Sequence, residues 1–82
     1  MIARDKQLHF IAGAAIAVLF FFAALPFGLS PVVSGLVASA IAGVAKEAYD
    51  ATGRGHVELA DALWTATGGA MAVAVLALVA GA

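Results

Sequence analysis

Charge is confined to two short windows of this chain, and everything outside them must manage without it. Arg4, Asp5, Lys6 and His9 open the sequence; Lys46, Glu47, Asp50, Arg54, His56, Glu58 and Asp61 lie together in its middle. The remainder is apolar, small or hydroxylated. Charged residues make up 11% of the chain and hydrophobic ones 65%, against about 25% charged in an ordinary soluble domain. A soluble chain of 82 residues has too much surface per volume to hide so much apolar area. The expected solvent is therefore lipid. The backbone must then satisfy its own hydrogen bonds, which points to helices.

The apolar stretches set the number of crossings. Leu8 to Leu25 is interrupted only by His9, and its 18 residues rise about 27 Å as a helix, close to a hydrocarbon core of about 30 Å. Its length exceeds the 7–15 residue core of a cleaved leader, and no clear Ala-x-Ala site follows, so a retained span is expected. Pro26 to Pro31 reads as a tight turn, with Pro31 suited to the first position of the next helix. Val32 to Ala45 is too short to cross alone and needs the helix to continue through Lys46, Glu47 and Asp50, while Thr52-Gly53-Arg54-Gly55 breaks it. Ala62 to Ala80 is uncharged throughout and crosses unaided. The expected fold is an all-α membrane protein, a single domain over 1–82, with transmembrane helices near 8–25, 32–50 and 59–80.

Three crossings place the amino terminus and the segment from Lys46 to Asp61 on one side. All four Lys and Arg residues fall there and none falls in the far turn. The positive-inside rule makes that side cytoplasmic, with the carboxyl terminus opposite, as in a bacterial inner membrane. A net charge of −1 gives no reason to expect nucleic acid. The chain has no cysteine, so disulfides, thiolate metal sites and a cysteine nucleophile are excluded.

Helices in lipid pack where side chains are small. Gly13 and Ala17 continue the row of Asp5 and His9; Gly35, Ser39 and Gly43 lead on to Glu47; Thr65 and Gly69, next to Gly68, follow from Asp61. Each ionisable residue thus extends a close-packing face. The expectation is a polar pocket at the cytoplasmic boundary built from Asp5, His9, Glu47, Asp50 and Asp61. Lys6, Lys46 and Arg54 are expected to reach the lipid head groups, and Lys46 with Asp50 forms a possible i, i+4 pair. Small-residue faces also invite a homo-oligomer. Phe20, Phe21 and Phe22 are expected to face lipid, and Trp64 the interface.

Carboxylates with one imidazole suit a divalent cation such as Mg²⁺, Mn²⁺ or Zn²⁺, with His9 and Glu47 as the first ligands expected. The cations nearby suit a polar lipid head group or a lipid-linked envelope precursor instead. A metal-assisted hydrolase or transferase acting on a lipid-linked phosphate is a second class. A holin-like or structural oligomer is a third, with the charges serving only as anchors.

The pattern Asp5-Lys6-x-x-His9, then Gly43-x-x-Lys46-Glu47-x-x-Asp50, then Asp61 followed by Gly68-Gly69, resembles VanZ-like and YfiM-like small membrane proteins, and also short proteins encoded in prophages. The VanZ-like pattern has Glu-x-x-Gln where this chain has Glu47 and Asp50, and Asp-x-x-x-Asn-x-x-Gly where it has Asp61, Thr65 and Gly68. The YfiM-like variant fits the middle helix better. VanZ-like proteins are associated with resistance to the glycopeptide teicoplanin. The resemblance implies a role in the cell envelope and singles out Asp5, His9, Glu47, Asp50 and Asp61, without supplying a reaction.

Overall fold

The computed structural model describes residues 4–54, with the side chain of residue 54 excepted, and residues 59–80. The chain forms α1 (Arg4–Ala23), a short 3-10 turn (Leu25–Phe27), α2 (Pro31–Tyr49), a wide turn (Asp50–Arg54) and α3 (Leu59–Val79). No strand occurs among the described residues. All three helices are long and apolar enough to cross a membrane.

Helix ends follow from local chemistry. α1 begins within the charged window, with Asp5 in its first turn, where a carboxylate favours the helix dipole. It stops at Ala23, and Pro26, which has no N–H to donate, sits in the first turn of the 3-10 segment that follows. The chain then reverses through backbone bonds from Phe27 and Leu29 to the Ala24 carbonyl, at 3.1 and 3.2 Å. Gly28 closes the turn at φ 71, a left-handed conformation natural only to glycine. Ser30 caps α2 by accepting the Val33 N–H at 3.2 Å, and Pro31 occupies the first helical position. Beyond Tyr49 the helix loosens, and Gly53, at φ 91, ends it.

The distribution of side chains is the reverse of a soluble protein's. Most of the buried helical positions are small or polar, namely Gly13, Ala17, Gly35, Ser39, Gly43, Asp61, Thr65, Gly68 and Gly69, with Phe21 and Val73 the large apolar exceptions. Large apolar groups such as Leu19, Ile41, Val44, Leu63 and Leu78 point outward, each more than half exposed. In water this arrangement would leave the hydrophobic effect without a role; in lipid it places large groups against acyl chains and small ones between helices. Phe21 departs from the lipid-facing expectation. It turns inward, 6% exposed, joining Ala17 and Val73 in a cluster flanked by Val32 and Leu76, while Phe22 packs edge-on against it from outside. Its neighbour Phe20 is 47% exposed, as expected of a lipid-facing ring.

The glycines set how closely the helices approach. A Cβ built on Gly13 would run into the Thr65 carbonyl, and one on Gly68 into the Phe10 carbonyl, so α1 and α3 meet backbone to backbone. Gly69 receives the Ser39 side chain of α2, and the Ser39 hydroxyl donates to the Leu36 carbonyl at 3.0 Å. Gly43 faces the Ala62 carbonyl, 3.0 Å from a notional Cβ, and Gly35 faces the Ala17 carbonyl at the same distance. All five helical glycines are thus engaged inside the chain, and Gly28 meets nothing. Gly68→Leu is therefore expected to destabilise the fold by more than the ~1–3 kcal/mol of ordinary overpacking, because backbone is the obstacle. Gly28→Ala should cost only the ~1–2 kcal/mol of a left-handed residue. Thermal unfolding in detergent compares the two; equal losses would contradict backbone contact at Gly68.

Candidate functional site at the charged end of the bundle

Because α1 starts, α2 ends and α3 starts in the charged windows, the three helices bring those windows to the same end. Lys6 is the centre of the arrangement. Its Nζ lies 2.5 Å from Asp61 Oδ1 and 3.2 Å from Asp5 Oδ2. Its side chain is 17% exposed and that of Asp61 8%. The residue expected to reach the head groups is thus turned into the α1–α3 interface. His9, one turn further along α1, places Nε2 3.3 Å from Asp61 Oδ2. Asp61 therefore receives a different cationic or imidazole partner on each oxygen.

The histidine ring has a defined orientation. Its Nδ1 lies 2.7 Å from the Asp5 carbonyl oxygen, which only accepts, so Nδ1 carries the proton. Nε2 is buried without a well-aligned hydrogen bond. A neutral ring then presents a lone pair towards Asp61, whereas a doubly protonated ring presents an N–H. The Thr65 hydroxyl donates to the Asp61 carbonyl at 2.9 Å, one turn back on α3. Its hydrogen is therefore engaged, and the oxygen remains as an acceptor.

A second pair closes α2. Lys46 Nζ meets Asp50 Oδ2 at 2.6 Å, with the lysine side chain 45% exposed and the aspartate 5%. A carboxylate at a helix C-terminus opposes the dipole, and Lys46 in the last turn offsets it. Glu47 lies between these groups on the α2 row of Gly43, half-buried, with Oε1 shielded from solvent. Asp5 remains on the rim, its side chain 58% exposed. The Arg54 side chain, His56 and Glu58 lie outside the described residues.

The three helices also share a hollow at this end. His9 of α1, Lys46 of α2 and Thr65 of α3 line it with Leu8 and Ala12, and its volume is about 320 Å³. Spacing along each helix placed His9 on a packing face, but the approach of Lys46 across the α1–α2 boundary depends on helix rotation. On the other flank, Phe10 and Trp64 pack edge to face, with centroids 6.3 Å apart. Among the described residues no group of three His, Asp or Glu side chains is placed to hold a metal ion.

No family model, curated protein or solved structure matches this chain.

Removing one partner of a shielded ion pair leaves the other charge uncompensated, at a typical cost of about 3–5 kcal/mol. Asp61→Asn is expected to approach that loss in detergent unfolding. Replacing both partners, Lys6→Met with Asp61→Leu, should recover most of it, since well-packed apolar pairs often match buried ionic ones. An Asp61→Asn protein that unfolds with the wild type would show that the pair contributes nothing.

Proposed function

We propose that this chain is a multi-pass protein of a bacterial inner membrane that holds the anionic head group of a lipid, or of a lipid-linked envelope precursor, at its cytoplasmic rim. The observation that carries the reading is the hollow in which His9, Lys46 and Thr65, one from each helix, face a common space. Lys46 supplies a point charge and the Thr65 oxygen accepts, while the His9 ring, its Nδ1 held by the Asp5 carbonyl and its Nε2 facing Asp61, forms part of the wall. This set suits a phosphate bearing hydroxyl or glycerol groups better than a bare cation. Two of the acids are withdrawn: Asp50 and Asp61 are each only 5% exposed, whereas Lys46 is half open. Lys46 is thus the open cation of the hollow, on a rim that also carries the exposed Asp5. The envelope role implied by the VanZ-like and YfiM-like motif residues agrees with this reading.

The orientation follows from the positive-inside rule, with the end of the bundle that carries Arg4, Lys6, Lys46 and Arg54 on the cytoplasmic side. The absence of native cysteine makes it directly testable. In right-side-out vesicles, an impermeant maleimide is expected to label Phe27→Cys and to leave Thr52→Cys unmodified until the membrane is opened. The opposite labelling would reverse the topology.

Head-group binding is tested by reconstituting the full chain in bilayers of mixed phosphatidylglycerol and phosphatidylcholine and measuring which lipid is retained on extraction. Wild type is expected to retain phosphatidylglycerol. Lys46→Gln should weaken this preference by about the 1 kcal/mol that a surface-proximal cation contributes, and Lys46→Gln with His9→Gln should abolish it. Equal retention of the two lipids by wild type would remove the proposal.

A further inference from the structure

His9 stands in two settings at once. Its ring is one wall of the hollow that Lys46 and Thr65 share, and its Nε2 faces Asp61 across the α1–α3 contact. With Nδ1 donating to the Asp5 carbonyl, a neutral ring has only a lone pair to offer at Nε2. That lone pair stands 3.3 Å from Asp61 Oδ2, which as a carboxylate oxygen also only accepts. Two acceptors thus meet at close range, with Nε2 shielded from solvent, and a buried polar atom left in this way is costly. A single proton removes the mismatch. Nε2–H then donates to Oδ2 while the Lys6 ammonium keeps Oδ1, and each carboxylate oxygen has its own donor. No third His, Asp or Glu among the described residues is grouped with this pair as a metal ligand, so a proton is the cation that the geometry suits.

We propose that His9 is a proton-operated switch on the head-group hollow: a proton gained at Nε2 locks α1 to Asp61 of α3 and turns one wall of the hollow positive, so that anionic head groups are held more tightly as the cytoplasmic pH falls. Its first half rests on the contacts of the ring alone; its second rests on the head-group reading above. Charges from all three helices bear on the proton. From α1, the Asp5 carbonyl fixes the ring and Lys6 occupies the other oxygen of Asp61. From α3, Asp61 attracts the imidazolium. From α2, Lys46 shares the hollow and opposes it, although Asp50 pairs with Lys46 at 2.6 Å, and Glu47, half-buried at the same end, favours it. Among the described residues of this end the carboxylates of Asp5, Glu47, Asp50 and Asp61 outnumber the cations of Arg4, Lys6 and Lys46. One more positive charge therefore lessens an imbalance. Imidazole is the side chain whose charge ordinarily changes between about pH 5 and 8, which makes it the group suited to report acidification of the cytoplasm.

The proton is read first, in bilayers of phosphatidylcholine with chelator present, so that neither an anionic lipid nor a metal ion acts on the ring. The full chain carries Asp5→Asn and His56→Gln, which leaves His9 as its single histidine, with ¹⁵N on histidine and ¹³C on aspartate side chains. Solid-state NMR is expected to show one protonated ring nitrogen at about pH 8 and two at about pH 5.5, with Nε2 then coupled through space to a carboxyl carbon. A ring that keeps one proton at both pH values, or an imidazolium without that coupling, would overturn the switch. Retention is read next, in the mixed bilayers of phosphatidylglycerol and phosphatidylcholine. Wild type is expected to retain about fivefold more phosphatidylglycerol at the lower pH, the factor expected of one added charge near a head group. His56→Gln should behave as wild type, and His9→Gln should retain equal amounts at the two pH values. His9→Arg, charged throughout, should retain at the higher pH what wild type retains at the lower. Should His9→Gln fail to fold by circular dichroism, wild type and His9→Arg decide. A pH dependence that survives His9→Gln, or that is lost in His56→Gln, would overturn the proposal. So would wild-type retention that ignores pH while the ring takes up its proton. A wild type without preference for phosphatidylglycerol at either pH would overturn the head-group reading, and with it the control of retention, whatever the NMR shows of the ring.

Discussion

Direct contact between helix backbones is the constraint on which the rest of this structure depends. For helices lying in hydrocarbon, burying a leucine against another helix gains little over leaving it against lipid. What remains is dispersion between closely packed atoms, and this falls away with small gaps. Gly13 against Thr65 and Gly68 against Phe10 bring α1 and α3 to the shortest separation that backbones permit. Ser39 against Gly69 and Gly43 against Ala62 then fit α2 to α3. A side chain at any of these positions would separate the helices and, with them, the groups at their ends.

That approach explains how so few polar residues make a site. Asp61 is buried because α1 covers it, and it is tolerated there because α1 also delivers Lys6 at 2.5 Å and His9 at 3.3 Å. The carboxylate in turn sits in the first turn of α3, where the helix dipole favours it. The ion pairs and the glycine contacts thus reinforce one register of α1 against α3. At the opposite end, Phe21, Val73 and their neighbours Val32 and Leu76 fill the space between the helices with larger groups. The bundle is closed by polar contacts at one end and apolar ones at the other.

Much of this is legible in the chain before any coordinates. Three helices follow from the lengths of the apolar runs, and their boundaries from Pro26, Pro31 and Gly53, while the Ser30 cap shows only in the structure. The packing rows Gly13–Ala17, Gly35–Ser39–Gly43 and Thr65–Gly69 are readable because few other residues permit backbones to touch. Lys46 with Asp50 is readable too, being one turn apart on one helix. What spacing within a helix does not encode is rotation and axial register between helices. Lys6 has the features of a head-group anchor until α3 supplies Asp61 beside it, and Phe21 is indistinguishable from Phe20 and Phe22 until α1 is rotated against α3. The hollow lined by His9, Lys46 and Thr65 is less legible still, since it arises where helices leave a boundary unfilled and no single residue marks it.

The account stands on Lys6 reaching across to Asp61 while the chain lies in a bilayer. Solid-state NMR tests this in a Lys46→Arg, Asp5→Asn background, in which Lys6 is the single lysine. With ¹⁵N on lysine and ¹³C on aspartate side chains, the 2.5 Å contact predicts strong through-space coupling between the Lys6 ammonium and a carboxyl carbon, lost on adding Asp61→Asn. No coupling, or coupling that survives Asp61→Asn, would mean that α1 and α3 do not meet in this register and that the charged residues do not share a site.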